Sequence, residues 1–263
     1  MWITRWDGEV AREVSDEVVV EEPLEIRLKN RPISVTMRTP GHDFELAAGF
    51  LLTEGILHKR DDILSIKYCA HNREHNVLNV MVAGTVAVDF QHLTRHVFAS
   101  SSCGLCGKAT IASIHNQFPP VRSDLVVDPP ILSALPETMR AAQTTFDRTG
   151  GLHAAALFDR DGRMIVIRED VGRHNAVDKL VGHCLLAGLL PLEDKILVVS
   201  GRSSFEIMQK SLAARIPIVA AVSAPSSLAV EFAEKSGQTL IGFLREGRMN
   251  VYTHAEKIGF ALA

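Results

Sequence analysis

Strand and helix patterns alternate regularly in the second half of the chain, and this alternation restricts the possible folds more than any other feature. It begins with a helix at about 131–146 and a hairpin whose strands, 154–158 and 164–168, turn at Asp161-Gly162. The predicted elements that follow are a helix at 173–186, a strand at 195–199, a helix at 205–214, a strand at 218–222, a helix at 228–236 and a strand at 239–244. This spacing predicts an α/β domain with a largely parallel sheet and right-handed crossovers.

The first half of the chain is richer in strand patterns. Short β-rich runs are predicted at 18–20, 25–28, 33–37, 63–69, 77–82 and 85–90, and helices at 44–54 and 108–116. The pairs Pro119-Pro120 and Pro129-Pro130 bracket a linker. We therefore predict a smaller β-rich N-terminal domain over residues 1–120, which ends in a cysteine-containing loop, and an α/β domain over residues 121–263.

Composition argues against several classes of protein. The formal net charge is −3, from 28 Lys+Arg and 31 Asp+Glu, whereas general nucleic-acid-binding proteins are usually basic. No apolar run approaches the roughly 18 residues that can span a bilayer, and the N-terminus lacks the apolar stretch of a signal peptide. We predict a cytoplasmic protein that binds neither nucleic acid nor membranes and needs no disulfides.

Three predicted strand-to-helix junctions are rich in hydroxyl groups, glycine and arginine. They read Glu169-Asp170-Val171-Gly172-Arg173-His174-Asn175, Ser200-Gly201-Arg202-Ser203-Ser204 and Ser223-Ala224-Pro225-Ser226-Ser227. Ordinary helix caps use the same residue types. Three such junctions on one sheet edge nevertheless favour a phosphate-bearing ligand, because free N–H groups at helix N-termini attract anions. None matches a Walker A motif or a dinucleotide fingerprint, so a generic nucleotide hydrolase or dehydrogenase is not supported.

The segment Cys103-Gly104-Leu105-Cys106 lies in a loop rich in serine and glycine, and it allows three kinds of chemistry. A structural zinc site needs further ligands at similar spacing, which this chain lacks apart from His115. A thioredoxin-type pair would begin a helix directly after a strand. A nucleophilic thiolate carrier fits best, because glycines keep both thiols accessible and Lys108 would lower the pKa of a nearby thiol.

Zinc nucleobase deaminases provide a further test, since they carry His-x-Glu before Pro-Cys-x-x-Cys. Here Ala155 follows His153-Ala154 where the glutamate is needed, and Ser102 replaces the proline. The cysteine pair also precedes the histidine, so the deaminase mechanism is not available in its known form.

Several stretches together resemble the formate dehydrogenase accessory sulfurtransferases, the FdhD family. They are Glu45-Leu46-Ala47-Ala48-Gly49-Phe50-Leu51-Leu52-Thr53-Glu54-Gly55, Cys103-Gly104-Leu105-Cys106-Gly107, Gly151-Leu152-His153-Ala154-Ala155-Ala156, Glu169-Asp170-Val171-Gly172-Arg173-His174-Asn175-Ala176-Val177-Asp178-Lys179 and Ser200-Gly201-Arg202-Ser203-Ser204-Phe205-Glu206. The resemblance runs from about residue 15 to the end of the chain. Its specificity comes from the combination of these motifs.

The resemblance implies a cytidine-deaminase-like three-layer α/β/α fold for the C-terminal domain, usually in a homodimer. It implies sulfur transfer from a cysteine desulfurase to the molybdenum cofactor of formate dehydrogenase, a bis(molybdopterin guanine dinucleotide) that GDP would mimic. Cys103 matches the family's persulfide-carrying cysteine, and Cys106 matches the second cysteine of the pair.

A cofactor-binding loop is also implied, at a stretch that composition alone would assign to a solvated turn. Its residues are Phe243, Leu244, Arg245, Glu246, Gly247 and Arg248, of which Leu244 and Glu246 depart from the family's usual residues. The cofactor phosphates are then expected at the helix N-termini formed by Gly172, Arg173, His174, Arg202 and Ser203. Two alternatives stay open: a chaperone that binds this cofactor without moving sulfur, and a metal-binding deaminase-like protein.

Overall fold

The computed structural model describes residues 1–70, 74–90 and 111–260, with the backbone alone for 111–113. Within them the strands are β1 (Trp2–Trp6), β2 (Ala11–Ser15), β3 (Glu22–Leu28), β4 (Arg31–Arg38), β5 (Ile63–Tyr68), β6 (Val77–Val82), β7 (His153–Phe158), β8 (Met164–Asp170), β9 (Ile196–Val199), β10 (Ile218–Ala221), β11 (Thr239–Arg245) and β12 (Arg248–Val251). The α-helices are α1 (Asp43–Thr53), α2 (Ile111–Gln117), α3 (Pro129–Ala142), α4 (Thr144–Thr149), α5 (Arg173–Leu186), α6 (Phe205–Ala213) and α7 (Ser227–Ser236). No described helix is long and apolar enough to cross a membrane.

The larger sheet has six strands in the order β12-β11-β10-β9-β7-β8. Only the β9–β10 and β10–β11 neighbours are parallel, so the prediction of a largely parallel sheet is wrong and the sheet is mixed. Strand β7 lies between β8 and β9 and is antiparallel to both. Its pairing with β8 is antiparallel because a tight turn joins these two strands. As a result, the C-terminal ends of β8, β9, β10 and β11 share one edge with the N-terminal ends of β7 and β12.

The smaller sheet has four strands in the order β4-β3-β6-β5. Residues 85–90, predicted as a strand, form none; Val86, Val88 and Phe90 instead pack, partly buried, against the core. Residues 18–20 are likewise not a strand. The N-terminus forms an unpredicted two-stranded hairpin of β1 and β2, in which Trp2 and Trp6 are largely exposed.

The six-stranded sheet is covered on both faces. Ala154, Ala156 and Phe158 of β7 pack toward α3, whereas Ala155 and Leu157 belong to the core formed with α5, α6 and α7. That second core continues through α1 to the four-stranded sheet. Burial on both faces explains why these strands are continuous apolar runs in the sequence. The architecture is thus mixed α/β, and the division at residue 120 stays a prediction.

Helix boundaries in the second half follow the sequence patterns closely, with one exception. Helix α5 begins and ends at the predicted residues, and α6 and α7 differ by one residue. The predicted helix at 131–146 is instead divided at Gln143, whose ψ of 67° is not helical, into α3 and α4. This break turns α4 toward the sheet edge where the predicted ligand-binding loops lie.

Candidate functional site

The three polar junctions lie together at the shared edge of the six-stranded sheet. They follow β8, β9 and β10, and the β11–β12 turn lies at the same edge. The N–H of Ser226 donates to the carbonyl of Ser203 at 3.0 Å, which ties the second junction to the third. The topology therefore brings together the predicted ligand-binding residues of the second half.

Asp170 organises the first junction from a fully buried position. Its carboxylate pairs with Lys179 Nζ at 2.7 Å and accepts hydrogen bonds from the N–H of Gly172 at 2.8 Å and from Asn175 Nδ2 at 3.0 Å. The N–H of Thr39 donates to it as well, at 3.1 Å. Because these partners occupy both oxygens, Asp170 holds the start of α5 in place and is not free for a ligand.

The first turn of α5 presents Arg173 and His174 at this edge. His174 Nε2 lies 2.9 Å from Glu206 Oε2 and 3.2 Å from Ser204 Oγ. The hydrogen bond with His174 is the main cause that lowers the pKa of Glu206. Arg173 Nε is buried and has no hydrogen-bond partner among the described residues.

The second junction carries another unpaired polar group. Ser203 is fully buried, and its Oγ has no partner in the described part of the chain. The neighbouring Arg202 is exposed and makes no hydrogen bond or ion pair with a described residue. A buried polar group without a partner costs about 1–3 kcal/mol, so a ligand that satisfied Ser203 and Arg173 would gain binding energy there.

A cleft of about 820 Å³ opens beside these junctions, between α3–α4 and the strand ends. Its lining residues are Pro136, Glu137, Met139, Arg140, Ala141, Gln143, Phe146, Gly150, Gly151, Leu152, His153, Ser200, Val222, Arg245 and Glu246. On the helical wall, the Arg140 guanidinium lies 4.7 Å from the centre of the Phe146 ring and pairs with Asp147. Arg140 and Phe146 thus give the helical wall of the cleft an aromatic and cationic character, and Arg245 lines the same cleft.

The β11–β12 turn separates the six predicted loop residues into different environments. Glu246 and Gly247 both have positive φ, 52° and 70°, which fits a tight two-residue hairpin turn. Arg245 and Glu246 line the cleft, and Arg248 is exposed and pairs with Glu246 at 3.0 Å. Phe243 is partly exposed at the bulge in β11.

Leu244, also predicted to contact the ligand, is fully buried in the core with α3. The bulge between Gly242 and Arg245 accompanies this inward placement. The Leu244 side chain therefore supports the turn from beneath and does not line the cleft.

His153 is a residue of this site that the sequence reasoning did not select. His153 is the first residue of β7, and its side chain lines the cleft. It packs beside Gly201, because a Cβ added to Gly201 would lie 3.3 Å from His153 Nδ1. Burial lowers the pKa of His153, and the nearby charge of Arg173 lowers it further. The motif Gly151-Leu152-His153 is the sequence signal that could have identified His153 as a site residue. From the sequence, His153 was compared only with the zinc-binding histidine of deaminases.

The helical wall formed by Arg140, Gln143 and Phe146 was also missed. In sequence these residues belong to one amphipathic pattern, and only the break at Gln143 brings them to the cleft. No local signal in the sequence marks them as site residues.

Cys103 and Cys106 lie outside the described residues. Cys69 and Cys184 fall within apolar runs of the sequence, which predicts an inert core thiol for each. Cys184 is fully buried, and burial raises its pKa to about 12. Cys69 follows β5 and is partly exposed, so the prediction is wrong for Cys69. No cluster of three or more His, Cys, Asp or Glu side chains suited to a metal ion occurs within the described ranges.

Comparisons with known proteins agree on one family. The model of the FdhD/NarQ family matches residues 19–259. The chain is 52% identical over 269 aligned positions to a sulfur carrier protein FdhD of Streptomyces avermitilis. The alignment covers 98% of this chain and 94% of that protein. The chain is 54% identical over 251 residues to the protein of the same name in Mycolicibacterium paratuberculosis. That alignment covers 93% of this chain and 92% of the relative.

A solved structure supports the same grouping. It is described as that of a candidate formate dehydrogenase accessory protein from Desulfotalea psychrophila. It superposes with a TM-score of 0.78 at 25% identity and covers 98% of this chain and 97% of that one. The similarity therefore extends over both sheets.

Proposed function

The chain belongs to the FdhD/NarQ family, and from this we propose that it carries sulfur, as a persulfide on Cys103, to the molybdenum cofactor of formate dehydrogenase. The observation that carries the proposal is identity of about half over nearly the whole chain to proteins named sulfur carriers. A role as a sulfur carrier in formate dehydrogenase maturation follows from these relatives. The persulfide, its cysteine desulfurase donor and the cofactor acceptor are our proposals.

Cys103 would receive the sulfur because persulfide exchange requires an accessible thiolate. The Cys103 thiolate attacks the outer sulfur of the donor's persulfide, takes up that sulfur and releases the donor's cysteine thiolate. In the sequence each cysteine is followed by a glycine, Gly104 or Gly107, which has no side chain to hinder the approach of a donor. No disulfide or metal is needed for this step.

Delivery to the cofactor needs two electrons, since the outer sulfur of a persulfide must become sulfide. We assign these electrons to the Cys106 thiol. The Cys106 thiolate attacks Cys103 Sγ and forms a disulfide, while the released sulfide replaces an oxygen ligand on molybdenum. That oxygen leaves as water with the two protons of the persulfide and the thiol. The disulfide must then be reduced by a cellular thiol before the next cycle.

The cofactor cargo, bis(molybdopterin guanine dinucleotide), would bind at the shared sheet edge. The unpaired Arg173 Nε and Ser203 Oγ support phosphate binding there, together with the exposed Arg202. The cleft of about 820 Å³ falls within the size of small-molecule sites. Arg245 and Glu246 line it, and in this proposal they would contact the cargo. GDP would occupy part of the same site.

Persulfide formation tests the sulfur-carrier proposal directly. The full chain is incubated with a cysteine desulfurase and cysteine, and its peptides are analysed by mass spectrometry without reductant. We expect one added sulfur on the peptide that contains Cys103, because only a thiolate can accept the transferred sulfur. The addition should be absent from Cys103→Ala and present on Cys184→Ala, since Cys184 is buried. An unmodified Cys103 peptide would leave the cofactor-binding chaperone as the better function.

Arginine substitution tests the cargo site. Arg202→Ala should weaken GDP binding about tenfold, because a charge-assisted hydrogen bond contributes about 1.5 kcal/mol or more. The matched control is Arg160→Ala, an exposed arginine in the β7–β8 turn at the opposite end of the sheet. Isothermal titration calorimetry measures both. Equal affinities in the two variants would exclude Arg202 from the site.

Two structural parts of the proposal extend beyond the mixed α/β architecture. We assign the α3–sheet–α5-α6-α7 layers to a cytidine-deaminase-like fold, on the family resemblance alone. We also propose a homodimer on the same ground. A deaminase-like metal site would require stoichiometric zinc that is lost in Cys106→Ser, which metal analysis would reveal.

A further inference from the structure

His153 lies where the cleft meets the N-termini of α5 and α6. It lines the cleft together with Ser200 of the β9–α6 junction. An added Cβ on Gly201 would lie 3.3 Å from His153 Nδ1 and 3.6 Å from Arg173 Cδ, so both side chains pack against the same glycine. The imidazole is therefore next to the unpaired Arg173 and open to whatever fills the cleft.

The charged groups around His153 come from several elements, and two of the three nearest already have hydrogen-bond partners. On α5 these are Arg173 and His174, and on β8 it is Asp170, which is fully bonded. His174 is bonded to Glu206 and Ser204. The charged residues that line the cleft with His153 are Glu137, Arg140, Arg245 and Glu246.

His153 can change charge near neutral pH, and unlike the neighbouring His174 it makes no hydrogen bond with a described residue. Burial is the first cause that lowers the pKa of His153, followed by the positive charges of Arg173 and His174. These causes favour the neutral form of the imidazole in the free protein. A bound anion would offset the charge of Arg173 and would favour the imidazolium.

We propose that His153 takes up one proton from solvent when a pyrophosphate-bearing ligand binds at this sheet edge, and then donates a hydrogen bond to that ligand. Binding is thus proton-linked, with His153 as a ligand-binding residue. The inference rests on the proposed function for the position of the cargo phosphates. No covalent bond changes in this step, so a proton from water is the only co-reactant.

The sign of the pH effect follows from the direction of the shift. Below the pKa of His153 in the free protein, the imidazole is charged in both states and binding takes up no proton. Above the pKa in the complex, it is neutral in both. Between the two values binding takes up one proton, so the dissociation constant rises about tenfold per pH unit.

The experiment uses the full chain and a probe whose phosphates do not titrate near neutrality, namely two guanosines joined 5′ to 5′ by pyrophosphate. Its dissociation constant is measured between about pH 6 and 8 by calorimetry. We expect the dissociation constant of the wild type to rise with pH, by up to about tenfold per pH unit. The dissociation constant of His153→Gln should not change with pH. His58→Gln serves as the matched control, since His58 is an exposed histidine that does not line the cleft, and this variant should retain the slope.

Nuclear magnetic resonance provides a readout that does not depend on affinity. The His153 ring signal, assigned by its absence from His153→Gln, should titrate at higher pH when the probe is bound. An unchanged His153 pKa, or equal slopes for wild type and His153→Gln, would overturn the inference alone. If the probe fails to bind at any pH, the proposed cargo site fails and the inference with it.

Discussion

Replacement of Lys210 by methionine is expected to lower the free energy of unfolding by about 3–5 kcal/mol. Lys210 Nζ donates to Asp178 Oδ2 at 2.8 Å and to Thr53 Oγ1 at 3.0 Å, and all three residues are buried. Burial alone would lower the pKa of Lys210, but the carboxylates of Asp178 and Glu54 outweigh it and raise the pKa. Methionine fits the volume but leaves the Asp178 carboxylate buried without its counter-charge.

Chemical denaturation of the full chain measures this effect, and Lys235→Met is the matched control. Lys235 pairs with Glu231 on the surface of α7, where both side chains are 54% exposed. Such an exposed pair contributes about 0.5 kcal/mol or less. The double variant Lys210→Met with Asp178→Leu should regain part of the loss, because it removes the uncompensated charge. Equal stabilities of the Lys210 and Lys235 variants would show that the buried pair is not required.

Replacement of Gly49 by alanine is expected to destabilise the protein by about 3 kcal/mol. An added Cβ would lie 1.8 Å from the carbonyl oxygen of Asp178, and on the facing helix a Cβ at Gly182 would lie 1.8 Å from that of Glu45. Helices α1 and α5 therefore cross with their backbones in contact. The loss exceeds the roughly 1 kcal/mol that alanine normally gains over glycine inside a helix.

The control for Gly49 is Gly84→Ala, because no atom of a described residue lies within 4 Å of an added Cβ there and the φ of Gly84 is not positive. Its free energy of unfolding should remain within about 0.5 kcal/mol of the wild type. A stabilised Gly49→Ala variant would mean that α1 and α5 can separate without cost, contrary to the crossing described above.

Both predictions concern residues within the stretches that carried the family resemblance, namely Gly49 and Thr53 in the first and Asp178 in the fourth. In the structure these residues hold α1, α5 and α6 together beneath the sheet edge. Part of the motif similarity therefore reflects packing that supports the site. His153 and Gly201, by contrast, lie at the site itself.

Prediction from the sequence succeeded where an element is buried in a continuous core. Helix α5 was predicted to the residue, since its apolar residues recur at helical spacing after Gly172. Prediction failed where the burial of side chains does not follow the apolar pattern of the sequence. Both strands of the β1–β2 hairpin are mainly exposed, and Val86, Val88 and Phe90 alternate like a strand yet pack without one.

By itself, the sequence determined the chemical groups available to this protein: the cysteine pair Cys103 and Cys106, and hydroxyl groups and arginines placed after successive strands. Only the tertiary structure decided which of these groups share a surface. It placed β7 between β8 and β9, which set His153 beside Arg173 and Gly201, and it buried Leu244 beneath the turn that presents Arg245. The physical reason is that strand order, strand direction and bulges depend on contacts between residues distant in sequence, which no local pattern of apolar residues contains.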